Sequence, residues 1–222
     1  MAAFSFKEMN TVYLYNVSAE GIDFKGIKDF IIKHFGKLKV KAVKLKNPIV
    51  KTQGIIFDFL ATQKAFEIVN PAKKEEACHI ILTNKLFATL DEQNRPHIRS
   101  AIFGYPCVIS TSGIVEGPAK PKEYYAYKQR FAPLGVWEIE EPKIKERLKG
   151  RFIDYGDKRM GEAILGLVAQ GLFFYMIGDP FCKNKSCRLF NAHWQEDLIN
   201  SQIKSGKFCR VHQKILTKFY LT

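Results

Sequence analysis

The sequence predicts an α+β fold with an α/β-like N-terminal half: a mixed sheet with flanking helices, closed by a metal-stapled C-terminal segment. Three observations predict it. Alternating or wholly apolar β-forming runs crowd the first half of the 222 residues, helical spacing dominates the second half, and three of the five cysteines fall between 182 and 209. The length suits a single domain over 1–222, with a strand-rich half at 1–120. The helical half at 121–222 contains the metal segment 182–212.

Residues 12–17, rich in β-formers, give the first strand. Phe24, Ile27, Phe30, Ile31 and Phe35 then recur at helical spacing, and Gly36 stands where a capping glycine belongs. The run KLKVKAVKLK (37–46) reads as a strand with one face wholly lysine, its phase changing at Ala42-Val43. Such a strand is either a sheet edge protected by lysines or a stripe facing phosphates. Phe57, Phe59, Leu60, Phe66 and Val69 predict a helix over 57–69 that ends before Pro71. CHIILT (78–83) predicts a buried strand, and His97–Phe103 and Cys107–Ser112 two more. The breaker cluster 117–122 leads into an aromatic, basic helix, EYYAYKQRF. Further helices are expected near 142–149 and over 157–177, the last stopped by Gly178-Asp179-Pro180.

Net charge is +13, which favours anionic partners, unless the lysines only solvate the surface. Five irregularly placed cysteines make a poor disulfide framework and a better metal-ligand set. No secretory leader pattern opens the sequence, so the cytoplasm is the expected compartment. No uninterrupted apolar run approaches about 18 residues, so no membrane-spanning helix is expected.

Cys182 and Cys187 form a C-x4-C pair, and Cys209 and His212 a C-x2-H pair. Each short pair spans adjacent corners of a tetrahedron, and the loop between them joins the pairs. Three thiolates and one imidazole suit Zn2+, and four protein ligands leave no open position, so one structural zinc per chain is expected. His193 lies within the loop and is an alternative fourth ligand; the C-x2-H spacing favours His212. Trp194 is expected in the core.

A second set of residues is a candidate site for an anion or other ligand. Ser110, Thr111 and Ser112 precede Gly113 at a strand end, with His97 and Arg99 on the preceding strand. Backbone amides there, with Arg99, could cradle a phosphate or carboxylate. The alternative is ordinary hydroxyl-rich turn chemistry. Cys78 and Cys107 read as buried strand cysteines, His34 and His79 as core or surface residues.

The βαβ start, ILTNKLFATL, AIFG, VISTSGI, the long helix, C-x4-C and C-x2-H occur in an order that resembles archaemetzincins. These are zinc-metalloprotease-like proteins of the metzincin clan, and an archaeal branch described as metallopeptidases is most similar. The resemblance spans roughly 12–216 and implies a metzincin-like fold, with VISTSGI as the edge strand beside the cleft. It also implies HExxHxxGxxH immediately before the first cysteine of the C-x4-C pair. Here Gly171, Tyr175 and Phe181 hold the three histidine positions and Leu172 the glutamate position, while Gly178 keeps the turn glycine. The methionine expected after the second cysteine is missing at Arg188-Leu189, and His212 replaces a cysteine.

A catalytic zinc needs about three protein ligands and a carboxylate beside its water. Peptidase chemistry of the metzincin type is therefore not expected. The function expected is that of a pseudoenzyme: a zinc-binding module for an extended peptide or an anionic partner such as RNA or a ribonucleoprotein. The alternative is a hydrolase or transferase with a relocated site that uses the STSG turn, Arg99 and His193.

Overall fold

A computed structural model describes residues 7–36, 38–70 and 77–221; Lys37 of the lysine-rich run lies outside them. The first strand, β1 (Thr11–Val17), carries no charge and buries Val12, Leu14, Tyr15 and Val17. Helix α1 (Phe24–Phe35) follows, with Ile27, Phe30, Ile31 and Phe35 on its buried side. The Asp23 carboxylate accepts from the Gly26 N–H at its start. Gly36, at φ +89°, turns the chain into β2 (Lys39–Lys44), parallel to β1.

Strand β2 is the sheet edge, which the lysine pattern allowed for. The reading of one wholly lysine face is corrected. The β1–β2 register runs unbroken from Thr11↔Lys39 to Asn16↔Lys44. Leu38 and Val40 pack into the helix-side core, and Val43 and Leu45 into the core on the other side. Each face therefore carries lysines at one end and apolar residues at the other. The phase change records two core layers that are offset along the strand.

Strands β3 (Lys51–Thr52) and β4 (Ile56–Phe57) come next, then α2 (Phe59–Val69). Phe57 belongs to β4 rather than to a helix, because the Asp58 side chain accepts from the Ala61 N–H and starts α2 one residue later. Strand β5 (Ala77–Thr83) is buried at all seven positions. After it come β6 (Ala88–Leu90), β7 (Pro96–Ile98), β8 (Ala101–Ile102) and β9 (Cys107–Ser110). The larger sheet has the order β2-β1-β5-β9-β8 and the smaller one β3-β4-β6-β7.

The expected strand 97–103 is thus divided: β7 belongs to the small sheet and β8 to the large one. The expected strand 107–112 stops at Ser110, whose hydroxyl accepts from the Gly113 N–H and opens helix α3 (Thr111–Glu116). Gly113 is required there, since a Cβ would lie 2.2 Å from the Arg99 carbonyl oxygen.

All strands among the described residues precede residue 111. The rest is helical: α4 (Lys122–Phe131), α5 (Trp137–Arg147), α6 (Met160–Ile177), α7 (Gln195–Ile199), a π-helical turn at Asn200–Ser205, and α8 (Arg210–Leu221). Helix α5 starts before the expected 142 and carries Pro142 inside it. Helix α6 starts at Met160 because the Asp157 carboxylate binds the Arg159 N–H and guanidinium and holds the preceding turn.

Helices α1 and α6 cover one face of the large sheet. Val12, Leu14, Ile80, Leu82 and Ile109 meet Ile31, Phe35, Val168, Leu172 and Phe173 there. Tyr15, Val17, Ile81 and Val108 point the other way, onto Ile49, Phe57, Phe66 and Phe87. That alternation is the period of two made structural, and each fully buried large side chain contributes about 1.5–3 kcal/mol. Cys78 and Cys107 are buried, and burial pushes the Cys78 thiol up to about 12. His79 is also buried, its Nδ1 at 2.8 Å from the Tyr15 hydroxyl.

Among the described residues one helix, Met160–Ile177 (18 residues), is long and apolar enough to cross a membrane, against the expectation from uninterrupted runs. Glu162 and Gln170 interrupt its apolar run, and 61% of it is buried inside the fold, as befits a core helix.

Candidate metal centre and the adjoining cleft

Gly178, at φ +74°, ends α6, and the Asp179 carboxylate accepts from the Phe181 N–H. The chain then forms a tight loop. The Cys182 N–H donates to the Leu189 carbonyl (2.8 Å), that of Cys187 to Asn184 (2.9 Å) and that of Phe190 to Cys187 (2.9 Å). The Arg188 N–H donates to the Lys207 carbonyl (2.8 Å), which brings the second ligand pair alongside. Cys209 stands just before α8 and His212 in its first turn.

The ligand atoms of Cys182, Cys187, Cys209 and His212 all lie within 4.8 Å of one another. Among the described residues, this is the one cluster of three or more such side chains placed to share an ion. Bond lengths of about 2.3 Å (sulfur) and about 2.05 Å (nitrogen) give tetrahedral edges near 3.8 and 3.6 Å. Cys182 Sγ–Cys209 Sγ is 3.9 Å and Cys187 Sγ–His212 Nδ1 is 3.7 Å. Cys209 Sγ–His212 Nδ1, at 3.1 Å, is shorter, a thiol–imidazole hydrogen-bond distance. This donor set fits zinc.

Local polarity favours the metal-binding form of His212 and Cys209, whereas burial raises the thiol pKa of Cys182 and Cys187. Burial lowers the His212 pKa and favours the neutral ring that a metal needs. Burial pushes the Cys209 thiol up, but backbone N–H groups of His212 and Val211 and the neighbouring thiols outweigh it and leave it lowered. The Asn184 N–H points at Cys182 Sγ (3.3 Å) and the Cys209 N–H at Cys187 Sγ (3.4 Å). His193 is outside this cluster. Trp194 was expected in the core but is partly exposed and stands at the N-cap of α7.

Three buried polar residues that sequence reasoning missed hold the loop. Arg188 Nε donates to the Gly206 carbonyl (2.9 Å), its Nη2 pairs with Glu162 (3.0 Å), and its guanidinium lies over the Phe30 ring. Gln202 Nε2 donates to the Arg188 carbonyl (2.8 Å). Gln195 accepts from the Ile153 N–H and donates to the carbonyls of Ile114 and Val115. No short-range signal marks them, because their hydrogen-bond partners named here lie 14 to 81 residues away.

The second candidate set does not converge. The hydroxyls of Ser110, Thr111 and Ser112 donate to the carbonyls of Lys85, Thr83 and Asn84. Arg99 Nε donates to Thr89 Oγ1 (2.7 Å). Arg99 and His193 do share a cleft of about 190 Å3, with Gln170, Phe103 and Phe181 among its other walls. The cleft runs beneath β8, the far edge of the large sheet. The VISTSGI segment is therefore not the edge strand: β9 is paired on both sides, with β5 and with β8. The tyrosines of α4 are also engaged, Tyr124 buried against Trp137 and Tyr127 stacked on Phe131.

The sequence model of a family described as "Probable metallopeptidase family (DUF6775)" matches residues 23–219. The chain belongs to this family. No curated protein matches it. Among solved structures, the crystal structure of archaemetzincin from Methanopyrus kandleri aligns with a TM-score of 0.58 over 97% of each chain, at 15% sequence identity. The archaemetzincin-like fold read from the sequence is thus shared in three dimensions.

The positions the resemblance assigns to a catalytic zinc are filled by packing. Gly171 and Leu172 are buried, and a Cβ on Gly171 would lie 3.0 Å from Cys107 Sγ. The Tyr175 hydroxyl donates to the Glu8 carbonyl, and Phe181 packs edge-on against Phe103. Gly, Leu, Tyr and Phe do not fit a catalytic metal.

Proposed function

We propose that the chain is a zinc-stabilised, non-hydrolytic member of its family that folds as one unit over 1–222. Cys182, Cys187, Cys209 and His212 hold one structural zinc, and the cleft beneath β8 binds an extended peptide without cutting it. The observation that carries the reading is the packing of α6. The positions that the resemblance assigns to metal ligands and the general base hold Gly171, Leu172 and Tyr175 on α6, and Phe181 beyond it. None of these supplies the ligand set or the general base that zinc hydrolysis requires.

Among the described residues β8 (Ala101–Ile102) pairs with β9 alone, and its outer side offers the N–H and C=O groups that strand addition needs. Arg99 and His193 lie at the same cleft and favour a peptide with an acidic residue or terminus. The test is to incubate the zinc-loaded protein with a mixed peptide library and to follow both cleavage and binding. Uncut peptides that bind and compete with one another support the proposal. Cleavage abolished by a chelator contradicts it.

A second reading has an anionic polymer such as RNA as the partner. The observation in its favour is the β2 edge, where Lys39, Lys41, Lys44 and Lys46 are exposed with no carboxylate in ion-pair distance among the described residues. Affinity for single-stranded RNA that falls steeply with salt, and falls further in a Lys39→Glu/Lys41→Glu variant, favours it. RNA binding that ignores these lysines counts against it.

A further inference from the structure

The two thiols on the open side of the metal cluster are a candidate modification site. Cys187 is fully buried, whereas Cys182 and Cys209 are part-exposed. Both line a groove of about 470 Å3 with Lys183, Arg210, Val211 and His212. Their sulfurs are 3.9 Å apart. A small oxidant enters from solvent and meets these two sulfurs before it meets Cys187.

We propose that Cys182 and Cys209 form a peroxide-sensitive pair whose oxidation to a disulfide expels the zinc and releases Cys187 and His212 from it. The proposal rests on zinc occupying the cluster. Zinc-held thiols are deprotonated, so each sulfur already carries the electron pair that attacks peroxide. One sulfur attacks an oxygen of hydrogen peroxide, the O–O bond breaks, and hydroxide leaves and takes a proton to become water. The resulting sulfenic acid meets the second thiolate, the S–S bond forms, and the sulfenic oxygen departs as a second water with protons from solvent. Two sulfurs lose two electrons in all, and one peroxide is reduced to two waters.

The sulfurs must close from 3.9 Å to a bond of about 2.05 Å, and rotation of the loop-borne Cys182 supplies that movement. Cys187 and His212 are left as two ligands, too few for a structural site. Helix α8 then keeps its apolar contacts through Ile215 and Leu216, with Phe208 docked just before it. Cys78 and Cys107, buried in the sheet, act as internal controls.

The experiment starts with the zinc content of the untreated full-length protein. Graded hydrogen peroxide follows, with released zinc read by a colorimetric chelator and the cysteines mapped by non-reducing peptide mass spectrometry. The expected result is about one zinc lost per Cys182–Cys209 disulfide, reversed by a thiol reductant plus zinc, with Cys78 and Cys107 untouched. A disulfide through Cys187, single-cysteine sulfinic acid without a disulfide, or zinc held until Cys78 and Cys107 oxidise would each overturn the proposal. If the untreated protein carries no zinc, the zinc assignment fails on that count alone. The disulfide map then still decides whether Cys182 and Cys209 are the pair that oxidises.

Discussion

At Gly171 the absence of a side chain lets α6 lie directly on β9: a Cβ there would come within 3.0 Å of Cys107 Sγ and 3.8 Å of Ile80 Cδ1. Restoring a metal ligand at this position therefore overpacks the core. Gly171→His is expected to cost about 1–3 kcal/mol or more, read as a lower urea midpoint. An unchanged midpoint would mean that the helix can host a ligand after all. Asp91 offers a second test at this scale. The Arg95 backbone N–H, the His97 ring, the Arg95 guanidinium and the Gln93 N–H hold its carboxyl down at about 2. The folded value lies below the unfolded value of about 3.9. Its contribution is therefore present above pH ~4 and is lost as pH falls through the folded pKa. A carboxyl titration by NMR should place the Asp91 midpoint near 2; a midpoint near 4 would contradict the hydrogen-bond assignment. Both residues were hard to read in the sequence. Gly171 stood out only through the family resemblance, and Asp91 depends on a turn whose donors come from the residues that follow it.

The zinc loop, α7 and α8 form the element on which the C-terminal part depends. Gln195 joins the start of α7 to three backbone groups, two of them some eighty residues earlier. Gln195→Leu leaves those groups buried without partners, at about 1–3 kcal/mol each, so thermal stability should fall sharply. A near-neutral result would show that water reaches the site. Zinc removal acts on α8. Chelation should speed hydrogen exchange over 207–216, where Phe208, Ile215 and Leu216 dock, and should leave β5, the buried central strand, protected. Readdition of zinc should restore protection, and uniform exchange before and after chelation would deny the loop its metal. The ligand pairs themselves were legible because their spacing is local. Strand boundaries were less so. Ser110 looked like a strand residue and is a helix cap, and residues 97–103 looked like one strand but serve two sheets. Which sheet a short strand joins is a tertiary choice that alternation does not encode.

Across the whole molecule, the α+β order, the buried central strand and the edge position allowed for β2 were open to reading, since burial periodicity follows from layers. The offset of the two core layers was not, and it turned an apparent lysine face into two half-faces. Nor was the identity of the cleft edge, which is β8 and not VISTSGI. On the proposed function, the chain keeps a peptidase-like scaffold with a structural metal and no catalytic one. Elemental analysis on the native protein and on a Cys182→Ser/Cys209→Ser variant tests it most directly. About one zinc per native chain is expected, lost in the variant together with cooperative unfolding of the C-terminal helices. Two zincs per chain, one of them surviving the substitutions, would reveal a second metal site and contradict it.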